Sequence, residues 1–105
     1  MSTTELFETV TAKVKATPAL PLSESLKLQL YGRYKRATVG TTADSKEAAP
    51  SLFNIVARKK WNAWVACDNM TKEESMIDYV KLVATIDCPL GKEASELLND
   101  YEGKM

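Results

Sequence analysis

The apolar residues of this chain recur at intervals of three and four positions, as in Leu6, Phe7, Val10 and Val14. No stretch of strand length alternates cleanly between apolar and polar residues. Because intervals of three and four place side chains on one face of a helix, this spacing indicates amphipathic helices that share a core. The sequence therefore predicts an all-α fold.

Capping residues and helix breakers mark where these helices begin and end. Ser2 with Glu5, and Thr71 with Glu74, have the spacing of capping boxes and predict the starts of a first and a fourth helix. Ser23 predicts the start of the second helix. Helix stops are expected at Pro18, Pro21, Gly40, Pro89 and Gly91.

The length of the chain, 105 residues, supports a single hydrophobic core. A third helix is expected to begin between Leu52 and Val56 and to run to about Cys67. Four helices with short connections predict an antiparallel four-helix bundle, which we assign to residues 1–88. Residues 89–105 are predicted to form a C-terminal extension with a short extra helical segment, and we expect this extension to be dispensable for ligand binding. Its apolar residues at helical spacing are Ala94, Leu97, Leu98 and Tyr101.

The composition argues against several functional classes. The chain contains no histidine, and its two cysteines, Cys67 and Cys88, fit no metal-binding spacing. No nucleophile–base pair is visible, so we predict neither an enzyme nor a metal site. No apolar run reaches the length of a membrane span, and the N-terminus lacks a secretory pattern. We therefore expect a cytoplasmic protein without stable membrane insertion, whose cysteines are reduced and buried.

The charges are balanced in number but unevenly distributed. Residues 1–67 hold ten Lys/Arg and five Asp/Glu, whereas residues 68–105 hold four and nine. A net charge of zero argues against a nucleic-acid-binding domain, since such domains are usually basic. Local basic clusters can still hold a small anion, or they can be solvated helix faces. The two clusters are Arg33, Lys35 and Arg36, and Arg58, Lys59 and Lys60.

A helical projection of the second helix places Lys35 at the edge of the apolar side, between Tyr31 and Leu28. The same projection places Arg36 and Gly32 on the side that faces water. A lysine at an apolar border usually extends its stem over the core and keeps its ammonium group in water. In this position it can also contribute to a ligand site.

Other border lysines accompany aromatic residues. Lys60 projects beside Trp61 and Trp64, of which Trp64 is expected to be a core residue, and Lys15 borders the apolar face of the first helix. Tyr79 lies on the apolar face of the fourth helix. Together with Tyr31, Tyr34 and Lys35, these residues are suited to a phosphorylated aromatic ligand, because rings stack and lysines donate charge-assisted hydrogen bonds to phosphate.

Three segments of the sequence resemble those of the acyl-CoA-binding protein family. Residues 30–40, LYGRYKRATVG, are similar to the family's LYxxYKQATVG segment, and residues 60–64, KWNAW, to its KWxAW segment. Residues 71–76, TKEESM, followed by Tyr79 and Val80, resemble its S/TKEDAMxxYI stretch. The resemblance spans about residues 5–87 and implies a four-helix bundle that carries long-chain acyl-CoA esters in the cytosol and is not an enzyme.

The resemblance also implies roles for individual residues. Lys35 and Lys60 match the lysines that hold the phosphates of the CoA head, and Tyr79 matches the tyrosine beside the nucleotide. Leu28 matches an apolar residue of the acyl groove, and Lys15 matches a lysine near the ligand. Tyr31 and Tyr34 match ligand-contacting tyrosines.

The sequence also departs from the family pattern, and one alternative function stays open. The loop from Gly40 to Pro50 is about three residues longer than is usual, and Val56 stands where the family frequently has a basic residue. We expect a monomer that binds acyl-CoA and needs no cofactor. The alternative is a helical protein-interaction module in which Leu97 and Leu98 dock a partner.

Overall fold

Five helices make up the computed structural model, which describes residues 1–103. They are α1 (Thr3–Ala16), α2 (Glu24–Thr38), α3 (Ile55–Val65), α4 (Lys72–Ala84) and α5 (Pro89–Gly103). These residues contain no strand, which confirms the all-α prediction. No helix among them is long and apolar enough to cross a membrane. The C-terminal segment, expected to be short, forms a helix of 15 residues, as long as α2.

The helix starts follow the predicted caps. The hydroxyl of Ser2 accepts a hydrogen bond from the Glu5 N–H at 3.1 Å, and the Glu5 carboxylate accepts one from the Ser2 N–H at 3.2 Å. Thr71 and Glu74 form the same reciprocal pair at the start of α4. The hydroxyl of Ser23 accepts a hydrogen bond from the Leu26 N–H at the start of α2. Because each cap satisfies backbone donors that lack a partner within the helix, these starts are fixed locally.

The predicted break at Pro89 and Gly91 is wrong in its details. Helix α4 ends at Ala84, and Pro89 is the first residue of α5, where proline needs no helical N–H partner. Gly91 is buried inside α5, and a Cβ at this position would overlap the carbonyl oxygen of Ile86. Glycine therefore allows α5 to approach the turn after α4 closely and does not end a helix here.

One core joins α1, α2, α4 and α5. Helix α4 lies at its centre, in contact with the other three, and α5 also packs on α1. Because α5 contributes three side chains to this core, the assigned boundary at residue 88 runs through a single packed unit. The core residues are Leu6, Phe7, Val10, Leu30, Ala37, Tyr79, Val80, Val83, Ile86, Leu90, Ala94 and Leu98.

Two residues that were expected to face water are engaged in packing. Gly32 is buried against α3, where a Cβ would overlap the backbone of Ala63. Arg36 is partly buried, and its Nε donates a hydrogen bond to the Met70 carbonyl oxygen at 2.8 Å. The helical projection assumed that α2 has one buried side. In the structure α2 packs on both α3 and α4 and is therefore buried on two sides.

The two cysteines differ in burial. Both are free thiols, as expected, but only Cys67 is buried, whereas Cys88 is half-buried in the turn before α5. Burial raises the pKa of the Cys67 thiol, and its Sγ donates a hydrogen bond to the Ala63 carbonyl oxygen. Cys67 is therefore held in its protonated, unreactive form.

Candidate functional site

Three aromatic rings from three helices meet between α1, α2 and α4. The ring of Phe7 lies 5.3 Å from that of Tyr79 in an edge-to-face arrangement and 6.0 Å from that of Tyr34. The Tyr34 and Tyr79 rings lie 6.4 Å apart, measured between centroids. Such distances are typical of aromatic clusters that fix ring orientation, so these tyrosines have defined positions before any ligand arrives.

Lys15 extends from α1 to this cluster. Its ammonium donates a hydrogen bond to the Tyr34 hydroxyl at 3.1 Å and lies 5.2 Å from the centre of the Tyr34 ring. Lys15 is nonetheless exposed to solvent. An ammonium that is placed by a tyrosine but remains in contact with water retains donors for an incoming anion.

Tyr31, one turn before Tyr34 on α2, is bordered by a second lysine. The ammonium of Lys60, from α3, lies 5.6 Å from the centre of the Tyr31 ring. Tyr31 is half-buried and Lys60 is exposed. This distance is within the range of a cation–π contact, which favours a Lys60 position over the ring without removing its charge from water.

Lys35 has two partners within the fold. Its ammonium lies 4.7 Å from the centre of the Trp64 ring and 3.5 Å from a carboxylate oxygen of Glu47. Trp64 is buried, as predicted, and its indole N–H donates a hydrogen bond to the Gly40 carbonyl oxygen at 2.9 Å. The Lys35 side chain is 21% exposed and that of Glu47 is 62% exposed, so an anion that binds Lys35 has to compete with an exposed surface carboxylate.

An apolar groove of about 250 Å³ runs beside the tyrosines. A second cavity, of about 510 Å³, lies mainly between α1 and α2 and shares Lys15 and Tyr34 with the groove. The two spaces therefore meet at the same lysine–tyrosine pair. The groove is lined by Val14, Lys15, Leu22, Lys27, Leu30, Tyr31, Tyr34 and Tyr79.

Tyr79 remains an uncharged phenol over the physiological pH range. Burial raises the pKa of Tyr79 to about 12, and the neighbouring Tyr34 adds to the rise. A neutral hydroxyl can both donate and accept a hydrogen bond, and its ring brings no negative charge to the site. The site thus contains positive ammonium groups and neutral rings, which suits a phosphorylated aromatic ligand.

Leu28 lies away from this groove. It lines a separate cavity of about 370 Å³ between α2 and α3, together with Ala63 and Ala66. The ammonium of Lys59 and a carboxylate oxygen of Glu24, both of which line this cavity, form an ion pair at 2.9 Å. The structure thus brings Lys15, Tyr31, Tyr34 and Tyr79 to one groove, with Lys60 at its border.

Several residues of the site have no local sequence signal. The partnership of Glu47 with Lys35 joins a loop to a helix, and that of Glu24 with Lys59 joins α2 to α3. The basic cluster on α2 is also less open than its sequence indicates, because Arg33 forms an ion pair with Asp78 of α4 at 2.7 Å. The apolar residues Val14 and Leu22 of the groove fit helical or turn spacing but carry no chemical mark of a site.

A known protein family matches most of the length of this chain. Residues 4–83 match the family model described as acyl CoA binding protein. The acyl-CoA-binding protein of Gossypium hirsutum is 43% identical over 83 residues, which are 79% of this chain and 89% of that protein. The acyl-CoA-binding protein of Ricinus communis is 40% identical over 95 residues, or 90% of this chain and 98% of that protein.

Solved structures share the fold. The crystal structure of acyl-CoA-binding protein 2 from Oryza sativa superposes with a TM-score of 0.71 at 41% sequence identity, covering 89% of this chain and 92% of that one. The structure of the Moniliophthora perniciosa protein superposes with a TM-score of 0.71 at 23% identity, and it covers 98% of this chain and 97% of that one. The latter similarity concerns the fold alone, and its extent means that α5 has a counterpart there.

Proposed function

Because the chain belongs to the acyl-CoA-binding protein family, we propose that it binds long-chain fatty acyl-CoA esters reversibly, as an intracellular carrier that also maintains a pool of them. The observation that carries this proposal is the position of the Lys15 ammonium, which is hydrogen-bonded to Tyr34 at the junction of an apolar groove and a second cavity. A ligand with an anionic head and an apolar tail matches both surroundings.

The head of the ligand would be held by lysines and rings. Lys15, Lys35 and Lys60 supply ammonium donors to the phosphates, and each such charge-assisted hydrogen bond is worth about 1.5–3 kcal/mol. The rings of Tyr34 and Tyr79, already oriented by Phe7, supply faces for the adenine. Tyr31 would contact the ligand between Lys60 and the groove.

The acyl tail would leave the apolar groove and reach Leu28, which lines the separate cavity between α2 and α3. Each methylene removed from water contributes about 0.8 kcal/mol, so about a dozen buried methylenes supply roughly 10 kcal/mol before the costs of ordering. In the cavity that contains Leu28, the pair between Lys59 and Glu24 stands beside the path of a tail. Exposed pairs of this kind are weak, so the tail can displace it.

We further propose that the protein is not an enzyme and that its two segments have different roles. We propose a cytoplasmic monomer that binds no nucleic acid. We also propose that it catalyses no reaction, since the candidate site consists of lysines, tyrosines and apolar residues without an acid–base pair. Residues 1–88 would hold the ligand. Within the C-terminal extension, α5 would serve the fold, because Leu90, Ala94 and Leu98 complete the core.

Isothermal titration calorimetry tests the proposal with three probes. Palmitoyl-CoA is expected to bind with one-to-one stoichiometry, because it offers both the phosphates and the tail. Palmitate lacks the phosphates and free CoA lacks the tail, so both are expected to bind at least a hundredfold more weakly. Equal affinity for palmitate and palmitoyl-CoA would contradict the proposal.

A further inference from the structure

An ion pair crosses the cleft between α2 and α3. The ammonium of Lys59 on α3 donates a hydrogen bond at 2.9 Å to a carboxylate oxygen of Glu24 on α2, and both residues line the cavity that contains Leu28. We call this contact the cleft pair. Its side chains are 51% and 72% exposed, so it lies at the open side of the cavity. The hydrogen bond from Lys59 lowers the pKa of Glu24, which keeps the carboxylate charged at neutral pH.

The other walls of the cavity are held more firmly than the cleft pair. The α2 and α3 backbones touch beside the cavity, since a Cβ at Gly32 would overlap the carbonyl oxygen of Ala63, a lining residue. Arg33 also lines the cavity, and its Nε lies 2.7 Å from a carboxylate oxygen of Asp78 on α4. The Arg33 side chain is only 21% exposed. A chain that enters the cavity therefore meets the cleft pair as the weaker of two ion pairs at its wall.

Successive turns of α2 lead from the apolar groove to the cleft pair. Tyr31 lines the groove, whereas Leu28, one turn earlier on α2, lines the cavity, and Glu24 lies one further turn towards the start of the helix. At about 1.5 Å per residue, the step from Tyr31 to Glu24 covers about 10 Å along the helix axis. An acyl tail on this path reaches the cleft pair only if it extends that far beyond Tyr31.

The cleft pair opposes a tail that reaches it. A hydrocarbon at this point separates the two charges or removes water from them, and it offers neither group a new polar partner. A tail that ends before the pair carries no such cost. We infer that the cleft pair is a determinant of acyl chain length, which reduces the affinity gained from the distal part of a long tail. This inference rests on the proposed function, because it concerns the tail of the same ligand.

An ion pair that acts on the tail differs from a general effect of charge. Acyl-CoA is anionic, so long-range electrostatics would make Lys59→Gln weaken binding and Glu24→Gln strengthen it, at every chain length. The cleft pair, by contrast, exists only while both partners are charged. Either substitution therefore removes it, and both are expected to act in the same direction on long tails alone.

Calorimetric titration of the full chain with palmitoyl-CoA and octanoyl-CoA tests the inference, since the octanoyl tail has half the carbons. Glu24→Gln and Lys59→Gln are each expected to raise the affinity for palmitoyl-CoA about threefold, the size of effect that an exposed pair allows. The affinity for octanoyl-CoA is expected to change by less than about 1.5-fold. The double variant Glu24→Gln/Lys59→Gln is expected to gain no more than either single variant, because the pair can be removed only once.

Glu93→Gln is the matched control. Glu93 on α5 forms an exposed ion pair with Lys13 on α1 at 3.3 Å, and neither residue lines the groove or the cavity that contains Leu28. This variant removes the same charge as Glu24→Gln and is expected to leave both affinities unchanged. A gain in palmitoyl-CoA affinity equal to that of Glu24→Gln would overturn the inference in favour of net charge.

The titrations distinguish failure of the inference from failure of the proposed function. A wild-type chain that binds palmitoyl-CoA, with cleft-pair variants that change both affinities equally, act in opposite directions or change neither, would overturn the inference and leave the proposed function standing. A wild-type chain that binds neither acyl-CoA would contradict the proposed function, and the inference with it. A gain confined to palmitoyl-CoA in both single variants would support the cleft pair as a determinant of chain length.

Discussion

Helix α5 buries an apolar face, whereas α3 buries one apolar side chain and leaves Ile55, Val56 and Val65 exposed. Leu90, Ala94 and Leu98 of α5 belong to the shared core, in contact with α1 and α4. In α3 only Trp64 is buried, and among the helices of residues 1–103 this helix lies against α2 alone. The two helices thus differ in role. Burial of apolar side chains in α5 stabilises the fold, whereas exposed apolar surface such as that of α3 is available to contact other molecules.

The attachment of α3 shows how an exposed helix can still be held in a defined position. The close approach of Gly32 and Ala63 brings the backbones of α2 and α3 together, and the Trp64 indole hydrogen bond fixes α3 to Gly40. These contacts are few and lie on one side. Ile55 and Val56 at the start of α3 and Val65 at its end remain exposed, whereas Lys59 and Lys60 reach back to Glu24 and Tyr31 of α2.

The largest expected difference between the two helices concerns stability. Leu90→Ala in α5 is expected to lower the free energy of unfolding by about 2–4 kcal/mol, because it leaves a cavity in the core. Ile55→Ala in α3 is expected to change it by less than about 0.5 kcal/mol, since this side chain is largely exposed. Urea unfolding of both variants measures the effects, and equal values would contradict the distinction.

The next largest difference concerns ligand binding, where a substitution in α3 is expected to have a larger effect than one in α5. Lys60→Ala in α3 and Lys35→Ala in α2 are each expected to weaken acyl-CoA binding by about 1.5–3 kcal/mol, the value of a charged hydrogen bond. Lys92→Ala in α5, also at an exposed lysine, is expected to leave the affinity unchanged. Arg36→Ala does not serve as a control, because its hydrogen bond to the Met70 carbonyl oxygen contributes to the fold. Calorimetric titration with palmitoyl-CoA measures all three lysine variants, and a loss at Lys92 equal to that at Lys60 would place α5 in the site.

The alkaline pH dependence of stability reports on Tyr79, where the site meets the core shared with α5. Its pKa is about 12 in the folded protein against an ordinary value of 10.0, so the unfolded chain releases the proton first as pH rises. This contribution to stability is complete below about pH 10 and is lost as pH rises through about 12. At about pH 11 the wild type is expected to have lost about 1.4 kcal/mol of its free energy of unfolding through Tyr79. The variant Tyr79→Phe is expected not to show this part of the loss. Urea unfolding at about pH 9 and pH 11 compares the two proteins, and parallel losses would show that Tyr79 is not the titrating group.

The smallest expected effects concern the surface ion pairs of the two helices. The pair between Lys59 and Glu24 involves α3, and the pair between Lys13 and Glu93 involves α5. Both are exposed, so Lys59→Gln and Lys13→Gln are each expected to change the free energy of unfolding by less than about 0.5 kcal/mol. Thermal unfolding at low and high salt checks this. A markedly larger effect in α5 would mean that charge, and not apolar burial, holds α5 in place.

The sequence was sufficient to predict features that depend on near neighbours in the chain. The capping residues Ser2, Ser23 and Thr71 determine helix starts through hydrogen bonds three positions away, and the apolar spacing of α1 and α4 predicts their buried faces. The positions of Tyr34 and Tyr79 at the site could be anticipated for the same reason, since both lie on or beside apolar helix faces.

Features that depend on distant contacts could not be predicted in this way. The role of Gly91 depends on the carbonyl oxygen of Ile86 that α5 approaches, and the burial of Gly32 depends on α3. Glycine has the same appearance in a sequence whether it ends a helix or admits a neighbouring backbone. The pairing of Lys35 with Glu47 similarly needs the path of the long loop, which no local pattern specifies.

Nuclear magnetic resonance of the isotopically labelled chain during titration with palmitoyl-CoA locates the ligand on the helices. Saturable shifts are expected at one equivalent, with the largest at the amides of Tyr31, Tyr34, Lys60 and Tyr79 and the smallest in the α5 segment that holds Leu90, Ala94 and Leu98. The largest shifts in α5, or an absence of shifts around Tyr34 at saturation, would contradict the proposed site.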